Sequence, residues 1–247
     1  MYQYDKAFFQ YTSASNDASA KRVAALLRSW LVIDSVADFG CGAGVWLKTW
    51  QAQGVAEIAG LDGDYVDRTT LPFDPALFTA VDLSQPIDLK RRFDLVQCVE
   101  VAEHLPAAAA ATIVHTLTKH GDIVLFSAAP PGQGGEYHIN EQPYAYWRDL
   151  FAAEGYACFD CIRPLIQSHT DVQPWYRYNL FLYVKSARVA TLPSDITAQR
   201  IRPDQPLPDI SPRSYQARKA VLRQLPPIAL NALARWNTRL QILRRKK

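Results

Sequence analysis

The sequence has no run approaching the roughly 18 uncharged apolar residues that a membrane-spanning helix requires. Residues 1–10 also lack the basic-then-apolar order of a secretory signal, so a cytoplasmic location is expected. Cysteine is scarce. Cys41, Cys98, Cys158 and Cys161 are too few and too scattered for a disulfide framework, and reduced thiols are expected. Cys158 and Cys161 form a C-x-x-C, but the surrounding stretch reads as a strand, in which residues three apart point to opposite faces. No second pair or nearby histidine completes a zinc site there. Internal repeats are absent as well.

What remains is an ordinary globular composition: 247 residues, 49% hydrophobic and 21% charged, enough for one substantial domain plus an appendage. The formal charge of +3 hides a division near residue 185. Residues 1–185 carry 14 basic against 21 acidic side chains, whereas residues 186–247 carry 13 against 3. An acidic body and a basic tail therefore face different partners.

Periodicity predicts a helix over 19–31, with Val23, Ala24, Leu27 and Trp30 on one face. Short apolar runs at 35–39, 57–61, 77–81, 93–98 and 122–127 read as buried parallel strands. Helices are expected at 45–53, 107–119 and 144–153. Segments 156–166 and 178–185 read as two strands with no helix between them, hence as antiparallel neighbours. The alternation predicts an α/β fold with a doubly wound, mostly parallel sheet and antiparallel final strands, whose ligands sit at the carboxyl ends of the strands. Beyond residue 185, five prolines punctuate a linker or irregular wrap. Helix resumes at Ser211-Pro212, breaks at Pro226-Pro227 and continues over 228–245.

Gly40, Gly42 and Gly44 follow a strand and open a helix, so a ligand can approach the backbone closely. The pattern is D-x-G-x-G-x-G, with Asp38 before the glycines, where it would repel a pyrophosphate, and Asp62 at the end of the next strand. Together these suit a cationic, phosphate-free cofactor. The stretch Val36-Ala37-Asp38-Phe39-Gly40-Cys41-Gly42-Ala43-Gly44-Val45-Trp46-Leu47 resembles motif I of class I S-adenosylmethionine-dependent methyltransferases, in the bacterial variant that continues with Trp-Leu.

That resemblance covers roughly residues 8–185 and implies a Rossmann-like, seven-stranded methyltransferase domain over 1–185, with an N-terminal lid and helix over 1–34. Residues 186–247 form a Pro-rich linker and a basic helical tail outside it. The family pattern implies S-adenosylmethionine as cofactor, with Gly40, Cys41, Gly42 and Gly44 beneath its methionine and ribose portions. Asp38 would orient the amino group. Asp62 would accept both ribose hydroxyls, with Gly63 and Asp64 shaping the corner, and Asp82 with Leu83 would meet the adenine.

The segment Gln97-Cys98-Val99-Glu100-Val101-Ala102-Glu103-His104-Leu105-Pro106 resembles motif IV and its C-terminal continuation, placing Cys98, Val99 and Glu100 on the floor near the reactive methyl. In a few relatives a Glu-x-x-His pair binds metal, whereas in most this segment starts a helix; no metal ligand is assigned here. The loop 129–142 is rich in glycine and proline at the sheet's carboxyl edge and reads as a substrate-facing clamp. His138 in that loop is the candidate general base and His104 the reserve, because a neutral imidazole near pH 7 accepts a hydroxyl proton. Tyr137, Asn140, Gln142, Trp147, Trp175 and Tyr176 are candidate pocket walls, and Phe8, Phe9 and Tyr11 a candidate lid.

The expected activity is O-methylation of a small molecule or a sugar or glycan intermediate. A nucleic-acid (RNA) methyltransferase is the second substrate class, weakened by the lack of an Asn/Asp-Pro-Pro-Tyr/Phe or Pro-Cys motif. A cofactor-binding but inactive scaffold with a partner-binding tail is the third reading. The tail itself can dock on the acidic body, form a homodimer contact, or lie peripherally on an anionic membrane.

Overall fold

A computed structural model describes residues 6–245, with side-chain surroundings for 16–226 and 228–240. In chain order the elements are α1 (Lys6–Trp30), β1 (Ser35–Phe39), α2 (Val45–Ala52), β2 (Glu57–Asp62), β3 (Phe78–Ala80), β4 (Leu95–Val99), α3 (Ala110–His120) and β5 (Ile123–Ser127). The second half continues with α4 (Tyr144–Ala153), β6 (Tyr156–Phe159), α5 (Arg163–Ile166), α6 (Pro174–Asn179), β7 (Phe181–Lys185), α7 (Ser194–Thr197), β8 (Arg200–Ile201), α8 (Arg213–Leu222) and α9 (Pro227–Arg245). The strands form one sheet in the order β3-β2-β1-β4-β5-β7-β6-β8. The first five strands are parallel, and β7, β6 and β8 join by antiparallel pairing.

Both faces of the sheet are covered, which is why the central strands are apolar throughout rather than alternating. One face packs Val23, Ala24 and Leu27 of α1 and Leu47 and Trp50 of α2 against Val36, Leu95 and Leu125. The other packs Ile113, Val114 and Leu117 of α3 and Trp147 and Phe151 of α4 against Ala37, Val96 and Val124. Strand order reverses between β1 and β4, so a crevice opens at their carboxyl ends.

Three expectations need correction. The segment between β6 and β7 is not strand: β6 ends at Phe159, and α5 and α6 intervene. Pro164 and Pro174 sit in the first turn of these helices, where proline's fixed φ favours helix and its missing N–H costs nothing. The buried Arg163 fixes the bend by pairing with Asp160, donating to the Tyr178 and Pro208 carbonyls and stacking over Phe181. Second, the sheet has eight strands, because β8 arises within the Pro-rich segment and its two residues are too short for any periodicity to register. Third, α1 starts at Lys6, well before the expected residue 19. The lid residues Phe8, Phe9 and Tyr11 lie outside the residues whose side chains are described.

Cys158 and Cys161 pack into opposite core layers as free thiols, each pushed up to about 12 by burial. The basic tail docks on the body. Lys219 is 1% exposed and paired with Asp209. Arg218 donates to the Gln133 carbonyl at 2.9 Å and Arg223 to that of Pro131 at 2.7 Å. Asn231 accepts the Tyr137 amide at 2.6 Å, and Arg235 lies 3.6 Å from Glu136. The tail thus grips the 130–137 loop from outside.

Removing Asp209 strands a buried ammonium. Asp209→Ala is expected to lower stability by about 2–4 kcal/mol, read by thermal denaturation, with early amide exchange in α8. Burial pushes the Asp209 carboxyl up, but Lys219 and Ser211 outweigh it and hold the group below its ordinary 3.8. The bridge therefore contributes fully above that value and is lost as pH falls through the depressed one.

Candidate active site

One corner of the site is built from two adjacent strand ends. At Gly40 φ is +90°, and a Cβ there would stand 2.3 Å from the Val101 side chain, so glycine is required. The Gly40 and Cys41 amides both donate to the Leu61 carbonyl. Asp62 closes the corner: one oxygen accepts the Gly42 amide at 2.7 Å, and the other accepts the Gly63 amide at 2.7 Å and the Tyr65 hydroxyl. Burial raises its pKa, and these three bonds oppose the rise. Asp82 accepts the Ser84 amide and hydroxyl at 2.9 and 2.6 Å, an Asx turn that sets the third strand end.

A cavity of about 840 Å³ opens here, within the range of small-molecule and cofactor sites. Gly40, Cys41, Gly42, Asp62, Gly63, Asp82, Leu83, Val99, Glu100, His104 and His138 border it, so most of the sequence-assigned residues converge. Asp38, Gly44 and Cys98 do not reach its wall. Asp38 lies 1% exposed beneath the turn; burial above all, opposed by its cross-strand neighbour Gln97 and reinforced by Asp62, pushes its pKa up to about 8. Gly44 packs on Phe73, and Cys98 joins Val96 in the α3–α4 layer, with its thiol raised well above 9 by burial. Among the expected walls, Tyr137, Trp175 and Tyr176 line the cavity, whereas Asn140 and Gln142 do not and Trp147 belongs to the core.

At the far end, Glu103, His104 and His138 each offer one ligand atom within 4.8 Å of the others, a set that can hold a metal ion. His138 Nδ1 lies 2.8 Å from the Glu141 carboxylate, and His104 Nδ1 3.2 Å from the Tyr137 carbonyl. Both partners only accept, so the Nδ1 atoms carry the hydrogens and the lone pairs fall on Nε2. The two rings meet edge to face at 4.8 Å. Burial first, then His138, pushes the His104 ring down to about 3, against the Tyr137 carbonyl.

Glu103 is fully buried and, among the described residues, neither carboxylate oxygen has a hydrogen-bond partner. Burial, and next the charge of Glu100, holds its pKa well above the ordinary 4.5; the backbone at Glu103 and Ala129 opposes this from outside bonding geometry. Glu100 has φ of +56° and is spoken for, accepting from Gln133 at 2.7 Å and Asn179 at 3.1 Å. Sequence reasoning gave Glu103 no role. It also missed Tyr65 and the tail side chains Tyr215, Arg218, Leu230, Leu233 and Trp236, which wall the cavity from α8 and α9.

The glycine turn borders the cavity with its Gly40 and Gly42 backbone, three strand-end acids stand around it, and Asp38 has a buried oxygen without a partner among the described residues. These features fit a cationic nucleoside: Gly40 and Gly42 would bear its amino-acid portion, Asp62 its ribose, Asp82 and Leu83 its base.

Comparison with known proteins shows the family. A family model described as a methyltransferase domain matches residues 7–163. The ubiquinone biosynthesis O-methyltransferase of Azotobacter vinelandii is 29% identical over 132 residues, covering 48% of this chain and 50% of that protein. The chain thus spans about half the length of the curated relatives it matches. Two solved structures share the fold. Streptomyces venezuelae DesVI has a TM-score of 0.55 and 17% identity, covering 74% of this chain and all of that one (100%). The magnesium protoporphyrin IX methyltransferase of Synechocystis PCC 6803, solved with bound SAM, has a TM-score of 0.51 and 20% identity, covering 75% of this chain and 86% of that one. The chain belongs to the methyltransferase-domain family of class I, S-adenosylmethionine-dependent enzymes.

Proposed function

We propose that this protein is an O-methyltransferase that acts on a hydroxyl of a small molecule, with His138 as general base. One observation carries the reading: His138, held at Nδ1 by Glu141, borders the same cavity that the glycine turn and Asp62 border. The ubiquinone-biosynthesis relatives, named as O-methyltransferases, support a hydroxyl acceptor.

Bound S-adenosylmethionine supplies a methyl group activated for displacement by its sulfonium charge. The residues of this chain contribute alignment and a place for the proton. His138 accepts the hydroxyl proton at Nε2 as the oxygen becomes nucleophilic. Glu141 stabilises the imidazolium and prevents the ring from turning away. His104 is a poor proton acceptor near neutrality because its ring is held at about 3. It supports the acceptor by hydrogen bonding instead.

A second reading rests on the partnerless carboxylate of Glu103. With His104 and His138 it would hold a divalent cation that polarises the hydroxyl directly, and the Nδ1 bonds to Tyr137 and Glu141 would then orient the ligating rings.

His138→Ala is expected to leave cofactor affinity unchanged by calorimetry while slowing transfer by about 10²–10⁴ in a labelled-methyl assay; undiminished turnover would eliminate the base. Asp62→Ala should weaken cofactor binding by about 1.5–3 kcal/mol, with folding checked by circular dichroism; unchanged affinity would remove Asp62 from the ribose site. Chelation separates the two readings. Activity that survives exhaustive chelator treatment supports the base, whereas loss restored by one divalent ion, together with metal bound stoichiometrically to wild type and not to Glu103→Gln, supports the cation.

A further inference from the structure

A helix that only roofs a cavity needs apolar residues on its inner side alone. On α9, Ile228 is 84% exposed, Trp236 63% and Leu233 45%. At about 100° per residue the three share one arc of roughly 140°, with the exposed Arg239 inside it and Arg235, which also faces Glu136, just outside it. α1 packs against α9, and on the side of the helix away from the strip Asn231 accepts the Tyr137 amide and Thr238 is buried. Leu233 and Trp236 belong to both regions: they are exposed, and they line the cavity. An apolar strip therefore runs from the outer surface of the helix over its rim into the site.

Charge identifies what the strip meets. Residues 227–247 contain no acidic side chain and carry Arg235, Arg239, Arg244, Arg245, Lys246 and Lys247. A tryptophan and two aliphatic residues flanked by arginines suit the headgroup boundary of an anionic bilayer, where the apolar side chains insert and the cations pair with phosphate. A nucleic-acid backbone would reward the arginines and leave the Ile228-Trp236-Leu233 strip without a partner.

We infer that α9 docks the protein on an anionic membrane surface with the rim of the cavity facing the lipid. The site so placed draws its acceptor from the bilayer: an amphiphile whose apolar portion crosses Leu233 and Trp236 while its hydroxyl reaches His138. The acceptor part rests on the proposed hydroxyl transfer; the docking does not.

The test is co-sedimentation of the full chain with vesicles of mixed phosphatidylglycerol and phosphatidylcholine, and with phosphatidylcholine alone. Partition onto the anionic vesicles is expected to be at least about tenfold stronger and to weaken with salt. The double substitution I228S/R239E, neither residue lining the cavity, should reduce it about tenfold or more while melting temperature and calorimetric cofactor affinity stay unchanged. Brominated phosphatidylglycerol should quench tryptophan emission in wild type and much less in W236F. Absence of partition onto anionic vesicles, equal partition of the double variant, identical quenching in W236F, or a stable dimer dispersed by I228S/R239E would each overturn the inference. Intact cofactor binding and transfer without vesicle partition would leave the methyltransferase reading standing. Partition without transfer to any acceptor would leave docking standing and remove the other.

Discussion

The site takes its shape from one nearly buried carboxylate. Glu141, with a side chain 15% exposed, accepts the Gly132 amide at 2.6 Å, the Gly134 amide at 2.8 Å and His138 Nδ1 at 2.8 Å. Taking such a group out of water is costly unless donors replace the lost hydration. The loop cannot open without leaving it unsatisfied, so backbone and imidazole are held as one unit. The hold extends to residues whose conformation is otherwise unfavourable. Tyr137 sits at φ of +58°, and a Cβ at Gly135 would lie 2.0 Å from His138 Nε2, so only glycine leaves the ring its place.

A second grip comes from outside. The loop's carbonyls at Pro131 and Gln133 are bonded by Arg223 and Arg218, and its Tyr137 amide by Asn231. Lys219, which anchors α8 beneath this contact, is buried and paired with the half-buried Asp209. Charges that look like a solvated helical face in the sequence are thus consumed by backbone acceptors. The tail becomes a wall of the site rather than a free appendage.

Legibility in the sequence followed the range of the interactions. The turn after β1 was readable because its glycines and the strand-end acids at 38, 62 and 82 are local features with few alternative uses. Within that local reading the errors were of facing. Cys98 was placed on the floor, yet strand alternation sends it with Val96 to the α3–α4 layer and leaves Val99 at the cavity. Asp38 sits one layer down, opposite Gln97, so it acts on the turn from beneath. The union of His104 with His138 was not legible. It depends on the amides of Ile139 and Asn140 both bonding the Glu103 carbonyl, a pairing across more than thirty residues that no periodicity encodes. β8 and the helices between β6 and β7 were missed because such short elements are set by tertiary partners, Arg163 above all, rather than by pattern.

The chemistry then turns on what neutralises Glu103. Its carboxylate lies in a fully buried position without a donor, and burial favours its protonated form. Protonated, it adds no charge beside the two rings, and of the two His138 is the one with a carboxylate behind it to stabilise an imidazolium, so the proton of an acceptor hydroxyl goes there. A divalent cation competing with that proton would restore the charge of Glu103, draw both Nε2 lone pairs inward and lower the pKa of a hydroxyl bound beside it. No separate base would then be needed. Both states use the same three side chains and the same two Nδ1 anchors. The balance between them depends on cation against proton affinity at one buried carboxylate, and proton binding there is already favoured by burial.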